Sequence, residues 1–240
     1  AMVGAVATVL VVLGVFCWPV VSTPEVAGKL PTVLGQFIHH PDVPSNSPFA
    51  GPGGSNVLGT DIHGRDLFSR ILAGARISLI VGAIGAIVSL IIGVTWGAVA
   101  GYVGGRLDGL MMRVVDVLYS LPSIIFVIVL MTTLNGFLSA QMRSGAINPD
   151  WVPFLKFASL FVGLGAISWL TMARIVRGQV LTLRTRQFVD ASRALGASDA
   201  HILRRHILPN TAGIIIVYLT LTIPAIILYE SFLSYLGLGI

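Results

Sequence analysis

The sequence predicts an all-α protein, a polytopic bundle of transmembrane helices with five spans visible. Three observations carry this. Of 240 residues, 55% are hydrophobic and 10% charged, and mean hydropathy is +0.90. Soluble domains carry about 25% charged residues. Charge-free runs such as residues 77–105 exceed the roughly 20 residues that cross a bilayer. Basic residues gather in loops: residues 174–210 hold seven of the fifteen Lys and Arg, against two acids. That asymmetry is the positive-inside pattern and puts the loop in the cytoplasm. The net charge of +5 is therefore a topological signal and not a nucleic-acid one, since no aromatic-plus-basic cluster is present to stack bases. Cys17, the only cysteine, excludes an intrachain disulfide and a cysteine metal cluster.

Residues 1–21 form one apolar run without a charged leader, longer than a signal-peptide core, and read as the first transmembrane helix. Residues 22–76 are then extracytoplasmic by alternation. The stretch 22–56 is a Pro-, Gly-, Ser- and Asn-rich loop of the length that usually has a function. His39, His40 and Asp42 lie in it, but adjacent histidines in coil are a weak metal signal, and no metal site is expected. Gly59 and Gly64 suit tight turns. His63 beside Asp61 lacks a Ser or Cys nucleophile and reads as a turn residue, so no catalytic residue is expected. Over 65–76, Leu67, Phe68, Ile71, Leu72 and Ala75 share a face opposite Asp66, Ser69, Arg70 and Arg76, the pattern of an interfacial amphipathic helix.

The core, 77–240, begins with the second span. Gly85, Ser89, Gly93, Gly97, Gly101 and Gly105 recur every four residues there, which lets helix backbones approach closely. Four residues turn a helix through about 400°, so the stripe drifts and should meet more than one neighbour. Residues 102–120 are amphiphilic: Arg106, Asp108, Arg113 and Asp116 mark an exposed side, Leu107, Leu110, Met111, Val114 and Val115 an apolar one. Leu121-Pro122-Ser123 opens a third span to about 139. A loop over 140–153 follows, with Trp151 as an interfacial aromatic. The fourth span is 154–173, where Lys156 can snorkel. The fifth is 211–229, with Pro224 as a kink and Glu230 at its end. Polar residues inside spans, Thr95, Trp96, Ser123, Asn135, Trp169 and Thr222, are candidates to line a pathway, and Ser168 and Thr171 join them.

Within the Arg-rich loop, Phe188, Ala191 and Leu195 fall at i, i+3 and i+7 of a short helix that Gly196 can end. Ser198 or Asp199 can cap a second short helix carrying Arg204, Arg205 and His206 near its end, and Pro209 should break it. A rigid, basic, partly apolar knob of this kind suits docking to another protein. No Gly-x4-Gly-Lys-Ser/Thr loop is present, so the chain does not itself hydrolyse ATP.

Asp190-Ala191-Ser192, Gly196 and Leu208-Pro209 together resemble the cytoplasmic "EAA" loop of ABC-importer permeases, with Asp190 for Glu, Ser192 for the second Ala and His206 where many members have Ile. Leu58-Gly59-Thr60-Asp61, Gly64-Arg65-Asp66, the run Gly74-Ala75-Arg76-Ile77-Ser78-Leu79 and the run from Asp116 to Pro122 narrow the likeness. So does Ser234-Tyr235-Leu236-Gly237-Leu238-Gly239. They are similar to the second permease subunit of dipeptide, oligopeptide and nickel importers. The resemblance implies a type I permease bundle in a bacterial cell membrane, with a sixth span beyond Ile240. It implies coupling to an ATPase through Phe188, Asp190, Ala191, Ser192, Arg193, Leu195, Gly196, Ala197, Asp199, His206, Leu208 and Pro209. It implies, as partners, a homologous permease, two ATPase subunits that use ATP and Mg, an extracytoplasmic substrate-binding protein and the lipid bilayer, with no cofactor bound by this chain. The substrate class it implies is di- or oligopeptides, with nickel or another small solute as the alternative. A secondary transporter would show buried charges or matched halves, and neither is visible. A membrane protease would need a motif such as His-Glu-x-x-His, which is absent.

Overall fold

The computed structural model describes residues 12–18, 22, 39–53, 56–145 and 148–237. Most of the expected first span, much of the 22–56 loop and the end of the 234–239 motif lie outside these residues. The chain divides into two compact units, Ala1–Ile80 and Val81–Ile240.

In the first unit, residues 12–18 are helical, and Trp18 packs edge-on against Phe68 at 5.3 Å. Residues 39–66 are held by turns. Gly59 and Gly64 take φ of 82° and 76°, which only glycine adopts at little cost. Buried Thr60 ties two stretches together: its N–H donates to Ala50 O (3.0 Å), its hydroxyl donates to Ser47 O (2.6 Å) and accepts from Ala50 N (2.8 Å). The Asp61 carboxylate accepts from His63 N (2.8 Å), Arg65 N (2.9 Å), Arg65 Nε (3.0 Å) and the Arg70 guanidinium. Burial opposes its charge, but the Arg65 and His63 amides and the Arg65 guanidinium outweigh that and hold the carboxyl far below the usual range. His63 is thus a turn residue, and His40 Nδ1 is engaged by Asp42 N at 3.3 Å.

Helix α1, Leu67–Val103, follows without a break at 76/77. Asp66 caps it, Oδ2 accepting from Ser69 N (2.8 Å) and Ser69 Oγ (2.7 Å), while Asn56 Nδ2 donates to Oδ1 (3.1 Å). This corrects the expected amphipathic assignment. Asp66 and Ser69 are buried, and Ile71 is exposed. The need to satisfy the orphan N–H groups of a helix start outweighs the hydropathy pattern.

The second unit continues α1 and adds α2 (Gly105–Ser120), α3 (Ser123–Arg143), a 3-10 turn (Pro149–Trp151), α4 (Val152–Leu183), α5 (Gln187–Ala194), α6 (Asp199–Ile202), a π turn (Leu203–Ile207) and α7 (Leu208–Tyr235). No strand forms among the described residues. Three helical stretches among them are long and apolar enough to cross a membrane: Leu67–Val103, Ser123–Arg143 and Asp199–Tyr235. The expected fourth span falls within α4, some of whose side chains, Lys156 included, lie outside the described residues. The spans leave Ile91, Val129, Ile216, Leu221 and Leu228 more than half exposed, faces that lipid or further helices can cover.

The glycine stripe does meet two neighbours. A Cβ at Gly93 would lie 2.6 Å from Met172 Cβ and 2.9 Å from Trp169 O, and one at Gly101 2.8 Å from Arg177 O, so this part of α1 lies backbone to backbone on α4. At Gly85 the neighbour is Ile226 of α7 (2.9 Å). Trp96 and Trp169 close the same α1–α4 contact edge to face at 5.2 Å. α7 runs on through Pro224 unbroken.

Candidate functional site

The Arg-rich loop is built from the inside outward. Val189, Ile202 and Ile207 are fully buried with Val176 and Val180 of α4 and Ala98 of α1. These three side chains fasten α5 and the α6–π segment to the bundle. The stripe of Phe188, Ala191 and Leu195 faces away from that core; Phe188 is 39% and Leu195 88% exposed. Gly196 at φ 80° ends α5, its N–H bonded to Arg193 O (2.9 Å), with Ala197 N bonded to Ser192 O (3.1 Å). Ser198 caps α6 by accepting from His201 N. Ser192 Oγ donates to Phe188 O (2.8 Å), and Asp190 pairs with exposed Arg193 at 3.5 Å.

Two expectations are corrected here. Pro209 does not break the second helix. The chain passes from α6 through the π turn into α7, where Pro209 sits in the first turn. Arg204, Arg205 and His206 therefore lie inside a continuous helical path and not at a C-terminus. The π turn leaves His206 O to accept from Asn210 Nδ2 at 2.6 Å. Val189, the anchor of α5, was not picked out by periodicity. Its signal is a lone β-branched aliphatic in a polar stretch, offset by one from the outward stripe.

Asp108 is also corrected: it is buried, not on an exposed face. Arg177 of α4 reaches it through Nε and Nη2, the latter 2.6 Å from Oδ2. The Arg177 hydrogen bonds hold its carboxyl below the usual range against the pull of burial. One turn earlier on α4, Arg174 pairs with Asp116 at 2.8 Å and lies 4.1 Å over the Tyr119 ring.

Beside this pair a cleft of about 250 Å³ opens between the α2–α3 junction, α4 and α7. Tyr119, Ser123, Ser168, Thr171, Tyr218, Thr222 and Tyr229 bring seven hydroxyls to it, and among the described residues no charged side chain lines it. Of the residues picked out by polarity, Ser123 and Thr222 meet here, with Ser168 and Thr171. The others do not. Trp96 and Trp169 are the packed pair, Trp96 Nε1 donating to Met111 O at 3.3 Å. Thr95 Oγ1 bonds Ile91 O at 2.7 Å, and Asn135 lies by Ser159 at 3.4 Å. The three tyrosines were missed, although for Tyr218 and Tyr229 a phenol inside an apolar span is itself a signal. Among the described residues no three His, Cys, Asp or Glu side chains cluster to hold a metal.

Residues 93–240 match the family of binding-protein-dependent transport system inner membrane components. The chain is 46% identical over 189 residues to the dipeptide transport system permease protein of Bacillus subtilis (strain 168), covering 79% of this chain and 53% of that protein. It is 45% identical over 188 residues to the oligopeptide transport system permease protein of Haemophilus influenzae, covering 78% and 54%. To the glutathione transport system permease protein of Pectobacterium atrosepticum it is 38% identical over 189 residues, covering 79% and 56%. The chain spans about half the length of the curated relatives it matches. Because the match takes in the last eleven residues of α1 and every helix after it, with the Arg-rich loop and the hydroxyl-lined cleft inside its bounds, the chain belongs to the binding-protein-dependent transport system inner membrane component family.

Proposed function

We propose that the chain is the membrane-spanning permease subunit of an ATP-driven importer of di- or oligopeptides in the bacterial inner membrane. The observation that carries this is the two-faced loop: Val189, Ile202 and Ile207 buried, with Phe188, Ala191 and Leu195 turned outward beside Asp190, Arg193 and Asp199. A stiff segment with an apolar outer stripe ringed by charge is what an ATPase partner needs as a handle. ATP hydrolysis resides in two such partners. Their closure moves the loop, and the bundle switches between two rigid-body arrangements. A homologous permease completes the passage, and an extracytoplasmic binding protein delivers substrate. The relatives named for dipeptide and oligopeptide transport support the substrate class. So does the cleft. Hydroxyls without charges hydrogen-bond a peptide main chain whatever its side chains, whereas a nickel route calls for imidazole, thiolate or carboxylate.

The test is cross-linking in membranes. With Cys17 replaced and a single cysteine at Leu195 or Ala197, a nucleotide-sensitive link to a co-expressed ATPase subunit is expected. No link from any position between Phe188 and Arg205, in an intact complex, overturns the assignment.

A further inference from the structure

Polar contacts from the loop converge on one residue of α1. Tyr102, in the last turn of α1, donates its hydroxyl to Asp199 Oδ1 at 2.6 Å. Its carbonyl accepts from Arg184 Nη1 at 3.1 Å, and the Arg193 guanidinium lies 5.9 Å over its ring. Arg184, Arg193 and Asp199 thus close on Tyr102 from before α5, from α5 itself and from the start of α6. The apolar anchors beneath the loop can slide, because dispersion contacts have no fixed direction. A phenol-to-carboxylate bond cannot, because it is directional and charge-assisted. One residue before Tyr102, Gly101 packs on the Arg177 backbone, so a shift of Tyr102 is felt at a close α1–α4 contact.

We infer that Tyr102 is a positioning residue through which displacement of α5 and α6 is passed to α1, with Asp199 as its partner on the loop. This rests on the coupling role proposed above for the loop. It adds a specific point of transmission, where the buried cluster alone would only hold the loop in place.

The experiment uses the complete transporter in proteoliposomes with its ATPase subunits and binding protein, and reads peptide transported per ATP hydrolysed. Tyr102→Phe keeps the ring and the packing and loses only the hydroxyl. It is expected to co-purify with the complex and to lower transport per ATP about tenfold, the scale of a lost hydrogen bond to a charged group. Tyr102→Phe/Asp199→Asn together should be no worse than the stronger single variant, since both remove one interaction. Asp199→Glu, which keeps the carboxylate, should recover part of the ratio that Asp199→Asn loses. A merely structural bond would lower complex yield and leave the ratio of surviving complexes unchanged, and that result overturns the inference. Leu195→Asp separates this from the wider reading. If it uncouples while Tyr102→Phe has the parent ratio, the clasp is wrong and the docking loop stands. If Leu195→Asp also keeps the parent ratio, the docking loop falls and the clasp with it. Should Tyr102→Phe not assemble, Asp199→Asn is read in its place, and an unchanged ratio there is equally fatal.

Discussion

Gly93→Ala tests whether α1 and α4 are locked by backbone contact. The added methyl would sit 2.6 Å from Met172 Cβ, 2.8 Å from Met172 Cγ and 2.9 Å from Trp169 O, and ordinary contact begins at 3.4 Å. Cβ and the carbonyl oxygen are fixed by the α4 backbone, so no rotamer change relieves them. The helices must part by the difference between 2.6 and 3.4 Å, close to an ångström, and the Trp96–Trp169 pair is strained with them. Overpacking of this kind costs about 1–3 kcal/mol. Replacing a helical glycine returns about 0.5–1 kcal/mol. The net loss of roughly 1–2 kcal/mol lowers Tm by about 2–8 °C in a chain of this size. Gly178 lies in α4 with nothing within 4 Å of its would-be Cβ. Gly178→Ala should therefore raise Tm by about 1–4 °C from helix propensity alone. Thermal unfolding in detergent, followed by tryptophan fluorescence, gives both values. Shifts of the same sign and size would refute the claim that the stripe exists for close packing.

Three further outcomes follow from other contacts. Asp108→Asn leaves Arg177 half-buried with a neutral partner and should cost about 1.5–3 kcal/mol, with Asp108→Leu/Arg177→Met together costing less than Asp108→Asn by denaturation. Because the folded Asp108 carboxyl is lowered, its stabilisation is present above the unfolded value of about 3.9 and fades as pH falls through the folded one. The Tm gap between Asp108→Asn and the parent should then be constant from about pH 5 to 7 and shrink only below about pH 4. Asp66→Ala removes the α1 cap and should cost about 0.5–2 kcal/mol, read as faster amide exchange at Ser69 and Arg70 and not deep in the helix. Thr222→Val in the cleft should slow uptake of acidic, basic and neutral peptides by the same few-fold factor, on the order of one lost hydrogen bond. A factor that depends on side-chain charge would count against main-chain recognition.

Local chemistry made much of this legible. Gly196 ends α5 and Ser198 caps α6 as their neighbours along the chain require, and the four-residue spacing of small residues foretold two contacts for α1. What stayed hidden depends on partners far away in sequence. Asp108 reads as a surface acid until Arg177, 69 positions later, is seen to reach it. Asp66 and Ser69 read as an outer face because hydropathy does not record unsatisfied amides. Pro209 reads as a stop because the rule for proline assumes an α turn before it, and a π turn changes which N–H is needed. The cleft gathers its hydroxyls from α2, α3, α4 and α7, so no window of sequence contains it.

The unbroken path from Asp199 to Tyr235 makes the loop and the last span one lever. At 1.5 Å per residue its 37 residues measure about 55 Å. The π turn at Leu203–Ile207 sits near one end as a built-in fulcrum, with a short arm reaching Asp199 and a long arm of about 42 Å reaching Tyr235. Tilting the long arm by about 5° swings its tip by close to 4 Å, while the short arm moves by well under one. On the coupling role proposed for the loop, a small displacement there would be geared into a larger one along α7, which borders the hydroxyl-lined cleft.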